Sequence, residues 1–166
     1  MLKKLLLLIL VVAPLSAFAQ DKFAYVNAQE IFGKMPELAQ VESKLATKRE
    51  TINKNRTAIE TEYTNKLKEY QALPEDSSAS VRADMEKQLQ SLQERYQQFL
   101  ETSNAELQKE QEALINPLQQ KLMQAIKDVG DESNYTYIFD RAAMHYVSPS
   151  AIDATKQVKT KLGITE

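Results

Sequence analysis

Residues able to do covalent or acid–base work are few in this chain. Its 166 residues include one histidine, His145, and no cysteine. Thiol chemistry and a histidine triad therefore lack their parts, and nucleotide chemistry lacks a glycine-rich phosphate loop. His145 stands in the apolar run "MHYV", where a packed or sheet-surface imidazole is expected rather than a ligand or base. The acid pairs Glu60 with Glu62 and Glu110 with Glu112 are two residues apart. On a helix that spacing points the carboxylates away from each other, so they describe solvated surface. No catalytic residue, metal ligand or cofactor follows from these side chains, and the chain is not expected to be an enzyme.

What remains is adhesive chemistry. Phe99, Ile115 and Met123 fall beside the main apolar stripe of the helical region, and Tyr63, Tyr70 and Tyr96 fall at its edge. Scattered aromatics and methionine on a helical surface suit weak, adaptable contact with many apolar sequences. These six are the candidate contact residues; the competing expectation is that they only widen the packing seam between two helices.

The elements that carry them are long. After a turn written "LPEDSSAS", apolar residues recur as Val81, Met85, Leu89, Leu92, Tyr96, Leu100, Ser103, Leu107, Gln111, Leu114, Leu118, Leu122, Ala125 and Val129. The steps repeat as 4, 4, 3, an 11-residue period that gives a straight or weakly right-handed seam. The same rule runs through Leu38, Val41, Leu45, Lys48, Ile52, Arg56, Ile59, Tyr63, Leu67 and Tyr70 before the turn. Two matched stripes on either side of a short turn describe an antiparallel helical hairpin over residues 36–116, turning near 74–80. Its first helix, 36–73, is about 57 Å long at 1.5 Å per residue. Lys48, Arg56, Ser103 and Gln111 interrupt the stripes, so the seam is thin. Pro117 is expected to kink or break the returning helix, and Gly130 with the stretch Asp131 to Asn134 to close it.

Short β segments flank the hairpin. "FAYV" at 23–26 leads into a capping box formed by Asn27 and Glu30, and Gly33 and Pro36 end that turn of helix. "YTYIFD" and "MHYV", more than a hundred residues later, are the expected strand partners, and Asp153 is expected to cap a last helix carrying Val158 and Leu162. The body made by 20–35 and 117–166 is too small to cover apolar strands on both faces, which argues for assembly into an oligomer.

Residues 1–19 read as a signal peptide. Lys3 and Lys4 precede nine apolar residues, Leu5 to Ala13, and Ala17-Phe18-Ala19 offers a cleavage site after Ala19. Nine residues fall well short of the roughly 20 needed to span a bilayer. Without cysteine the exported chain is not a lipoprotein. Loss of the two lysines leaves 19 basic against 23 acidic residues, a balance that offers no basic surface for nucleic acid.

"FAYVNAQEIFGKMPEL", "INPLQQKLMQAIKDVGDESNYTYIFD" and "SPSAIDATKQVKTKLG" together resemble the Skp/OmpH family of periplasmic chaperones across the whole mature chain. The resemblance implies a mainly α fold with a small β body, in which three bodies form a homotrimer and three hairpins project around a cavity. It further implies that unfolded outer-membrane β-barrel proteins are held there without ATP and passed on for membrane insertion. Phe23, Tyr25, Val26, Tyr137, Ile138 and Phe139 are the oligomer-interface candidates on this reading. Well-known members are strongly basic whereas this chain is acidic, which shifts binding toward apolar contact and confinement. The alternative is a structural coiled-coil scaffold or adaptor that docks a folded envelope partner through its hairpin.

Overall fold

The computed structural model describes residues 21–165; the expected signal peptide and its cleavage site lie outside them. In chain order the elements are β1 (Phe23–Val26), α1 (Ala28–Gly33), α2 (Pro36–Gln71), α3 (Ala79–Ser133), β2 (Tyr137–Asp140), a 3-10 turn (Arg141–Ala143), β3 (Ile152–Asp153) and α4 (Thr155–Lys161). They fall into two compact units, one reaching to Met35 and resuming at Gln120, the other Pro36–Gln119.

In the Pro36–Gln119 unit the stripe rule becomes burial. Val41, Leu45 and Ile59 of α2 and Leu89, Leu92 and Leu118 of α3 are buried, as is Ser103. Ser103 contributes a small polar side chain where the rule calls for a large apolar one. Gln111, also on the stripe, is exposed. The turn is held by Ser77 N–H donating to Pro74 O at 3.1 Å and by the Arg82 guanidinium donating to the same carbonyl at 2.6 Å.

Pro117 does not end α3, which continues to Ser133. The proline removes one backbone donor and frees the carbonyl of Ala113, yet both residues are exposed, so that oxygen lies open to solvent. Buried Leu118, Leu122, Ala125 and Val129 meanwhile hold the helix together on its other side. The helix runs past Gly130 and closes within the expected stretch Asp131 to Asn134. The end comes at Asn134, whose φ of 52° lies in the left-handed region. Tyr135 N–H reaches Gly130 O at 3.0 Å and Asn134 N–H reaches Asp131 O at 3.4 Å, the paired bonds of a Schellman closure. A Cβ on Gly130 would stand 3.4 Å from Ile138 Cδ1.

The other unit is built on a three-stranded parallel sheet in the order β2-β1-β3. Phe23 pairs with Tyr137 and Tyr25 with Phe139; Ala24 pairs with Ile152. β2 is the strand expected from "YTYIFD". The expected strand "MHYV" is instead irregular chain. Asp140 accepts from Ala142 N–H at 3.1 Å and turns the chain at once. A parallel neighbour must first travel back to the start of the sheet, and residues 141–151 are consumed in that return. Pairing with β1 resumes only at Ile152. His145 accordingly lies exposed in a connection, not on a sheet.

One face of the sheet is closed by α1 and α4. Ala24, Val26, Ile31, Ala154 and Val158 are buried there. Asn27 accepts from Glu30 N–H at 3.1 Å, and its own N–H donates to Thr155 Oγ1 at 3.0 Å, tying the start of α1 to α4. Ala154 N–H donates to Tyr25 O at 2.8 Å. Buried Lys159 pairs with Glu30, and Asp153 accepts from Thr155 N–H at 2.9 Å one residue before the N-cap of α4, Ala154, which makes no side-chain cap bond of its own.

Candidate functional site

Two surfaces carry the apolar side chains singled out above. The first is the helical hairpin. Side-chain bonds cross between its helices, each joining residues at matched distances from the turn. Tyr70 Oη donates to Glu86 at 2.5 Å, Gln93 Nε2 to Tyr63 Oη at 2.9 Å, Arg95 to Glu62 at 2.6 Å, Tyr96 Oη to Glu60 at 2.9 Å, and Lys48 Nζ to Glu106 at 2.8 Å. Their order fixes the antiparallel register. All are exposed, so solvent screening keeps each of them weak.

The three tyrosines are therefore edge residues with a second role, since each phenol reaches across to the facing helix. The bond to Glu86 pushes the Tyr70 phenol above its ordinary pKa, and the bond to Glu60 does the same for Tyr96. Both stay protonated donors through neutral pH. Lys48 is pushed up by Glu106, and Glu106 is held down by Lys48. The other contact candidates differ among themselves: Phe99 and Ile115 are half-buried, while Met123 is 64% exposed. The partners Glu60, Gln93 and Glu86 escaped sequence reasoning; only their matched spacing about the turn could have signalled them. Thr47, Thr51, Thr61 and Thr64 donate to carbonyls four residues back at 2.8–3.0 Å, a pattern that bends helices.

The second surface is the uncovered face of the sheet. Parallel register sets Phe23 beside Tyr137 and Tyr25 beside Phe139, and period-2 geometry puts all four on one face. The Phe23 and Tyr137 rings stack at 5.8 Å and 6°, Tyr137 and Phe139 at 6.0 Å and 26°, and Phe23 and Phe139 at 6.4 Å and 30°. These three rings remain 51%, 56% and 46% exposed in the order Phe23, Tyr137, Phe139. Tyr25 is half-buried beside Asp153; burial, then that carboxylate, push its phenol up. Burial raises Asp153, but its bonds from Thr155 and Tyr25 outweigh this and hold it below the usual range. Of the remaining interface candidates, Ile138 is half-buried and Val26 is 2% exposed on the inner face. Tyr146 and Ile152, not singled out from sequence, are exposed.

Among the described residues no group of His, Asp or Glu side chains is arranged to hold a metal, and no helix is long and apolar enough to cross a membrane.

The family model described as Outer membrane protein (OmpH-like) matches residues 22–162, which takes in both units. The chain belongs to the OmpH-like family. Its fold is shared with a crystal structure from Caulobacter crescentus CB15 described as a candidate outer membrane chaperone (OmpH-like). That structure superposes with a TM-score of 0.75 at 19% identity, covering 87% of this chain and 85% of the other. No curated protein matches significantly in sequence. The expected mainly α architecture, with its long helices and small sheet, is thus the architecture of the family.

Proposed function

We propose that this OmpH-like protein is an ATP-independent, non-catalytic periplasmic holdase, which keeps unfolded outer-membrane β-barrel proteins from aggregating and hands them on for insertion. The observation that carries the proposal is the family match across residues 22–162. The description of the Caulobacter structure as a candidate outer membrane chaperone points the same way. The geometry adds the means. A thinly packed hairpin leaves Phe99 and Ile115 partly open, Met123 is exposed, and the cross-linked tyrosines keep ring surface at the edge. Each such contact is weak and reversible, and several together retain a client by raising its effective concentration.

The aromatic face supports assembly. Phe23, Tyr137 and Phe139, with Tyr25 beside them, form a contiguous apolar surface of the kind that marks an interface, and a homotrimer joined there would array three hairpins around one client. Val26 and Ile138 support the strands that present it. Export with cleavage after Ala19 would bring the protein to such clients.

The test mixes the mature protein with an unfolded β-barrel protein under refolding conditions and follows light scattering. Suppression of aggregation near one trimer per client is expected. Undiminished scattering at a several-fold molar excess overturns the proposal.

A further inference from the structure

The hairpin seam contains a gap. Between α2 and α3, at the level of Tyr63 and Tyr96, lies a cavity of about 300 Å³. Its apolar floor is buried Ile59 and Leu92, and Tyr63 and Tyr96 line it with Glu60 and Gln97. The tyrosine rings do not fill the space because their hydroxyls are engaged by Gln93 and Glu60 of the facing helices. Glu60 uses Oε1 both for Tyr96 and for Arg56, whose Nε is 3.7 Å away. Oε2 is left as an acceptor.

We infer that this cavity is a subsite for one aromatic side chain with a donor at its edge, a tyrosine or tryptophan of an unfolded client. The inference rests on the holdase reading. Size argues for a ring, since a dry cavity of about 150 Å³ already accommodates benzene and this one has room for a phenol or an indole. The lining argues for the donor: it holds one carboxylate and no cation, so an acidic side chain is repelled, whereas a phenol O–H or indole N–H can replace water at the exposed Glu60 carboxylate. Such side chains recur in the proposed clients, because outer-membrane strands of about ten residues carry girdles of aromatic residues at both membrane faces. A subsite that accepts one ring at a time lets the hairpin engage successive strands without reading their sequence.

The chain contains no tryptophan, so a Trp-bearing probe reports on itself. The probe is a ten-residue peptide of alternating apolar and polar residues with one central Trp, titrated against the mature protein while its emission is followed. A saturable blue shift is expected, with an affinity at least tenfold weaker when Trp is replaced by Leu. Gln97 is exposed at the cavity, so Gln97→Phe fills the space and should weaken binding at least tenfold, whereas Gln97→Ala retains it. Far-UV circular dichroism confirms that both variants are folded. Should Gln97→Phe not fold, nuclear Overhauser contacts between the indole and the Ile59 and Leu92 methyls in the wild-type protein decide instead. Equal binding of the Trp and Leu peptides, equal binding by wild type and folded Gln97→Phe, or bound peptide without those contacts overturns the subsite. Scattering assays with a full barrel protein run in parallel separate the two ideas: suppression that persists without ring selectivity refutes the subsite alone, and loss of suppression refutes the holdase reading.

Discussion

Replacing Phe139 by alanine probes the proposed interface at its most informative position. A phenylalanine side chain presents about 200 Å², and Phe139 is 46% exposed, so roughly 90 Å² awaits a cover. At about 25 cal/mol per Å² this contributes about 2 kcal/mol per chain on assembly, and about 6 kcal/mol over three chains, or some four decades in the monomer–trimer equilibrium. Within one chain the loss is of comparable size, about 1–3 kcal/mol from two stacking contacts. The rings of Phe23 and Tyr137 at 6.4 and 6.0 Å each lose a stacking partner worth about 0.5–1.5 kcal/mol. The variant should therefore remain folded by circular dichroism yet sediment as a monomer at concentrations where the wild type is assembled, and native mass spectrometry should give the same masses. A folded Phe139→Ala protein whose assembly constant lies within tenfold of wild type would show that the ladder is not the interface.

Three further outcomes follow from other parts of the molecule. Lys159 holds the Glu30 carboxyl below its ordinary value, so the stability from that pair is complete above about pH 4.5 and is lost as pH falls through the depressed pKa; Glu30→Gln should make the fall in melting temperature between pH 5 and pH 2 shallower, and an unchanged slope would refute the linkage. Pro117→Ala restores a backbone bond at an exposed position in an unbroken helix and should stabilise the protein by about 1–3 kcal/mol in urea titrations. Exchanging the turn at 73–80 for an unrelated turn of equal length should leave suppression of client aggregation intact, whereas loss of function in a folded variant would favour an adaptor that works through its tip.

The hairpin was legible because burial there follows a single period. Val41, Leu45, Ile59, Leu89 and Leu92 are buried at the steps the stripe demands, and the capping of α1 by Asn27 needed only two residues three apart. β1 and β2 announced themselves by composition, but not which face would stay open, since apolar residues occupy both faces of "FAYV". That choice was made by α1 and α4, which cover Ala24 and Val26. β3 was misplaced because "MHYV" has strand composition while parallel topology requires a return first. A break at Pro117 did not follow, because the carbonyl it frees lies at an exposed position while the next turns of the helix are buried. The cross-hairpin bonds of Tyr63, Tyr70 and Tyr96 depend on register across two helices, which no local window contains.

The order in which the chain can fold follows from the placement of β1 at the centre of its sheet. Bonds that fix it span 114 residues from Lys22 to Thr136 and 128 from Asn27 to Thr155. The hairpin can zip outward from its own turn as soon as both its helices are free to meet. The sheet cannot begin until nearly the last residues are available, so its loop-closure cost falls at the end. Until then β1 is itself an unpaired apolar strand, and a protein proposed to guard such strands in others passes through the same exposed condition each time it is made.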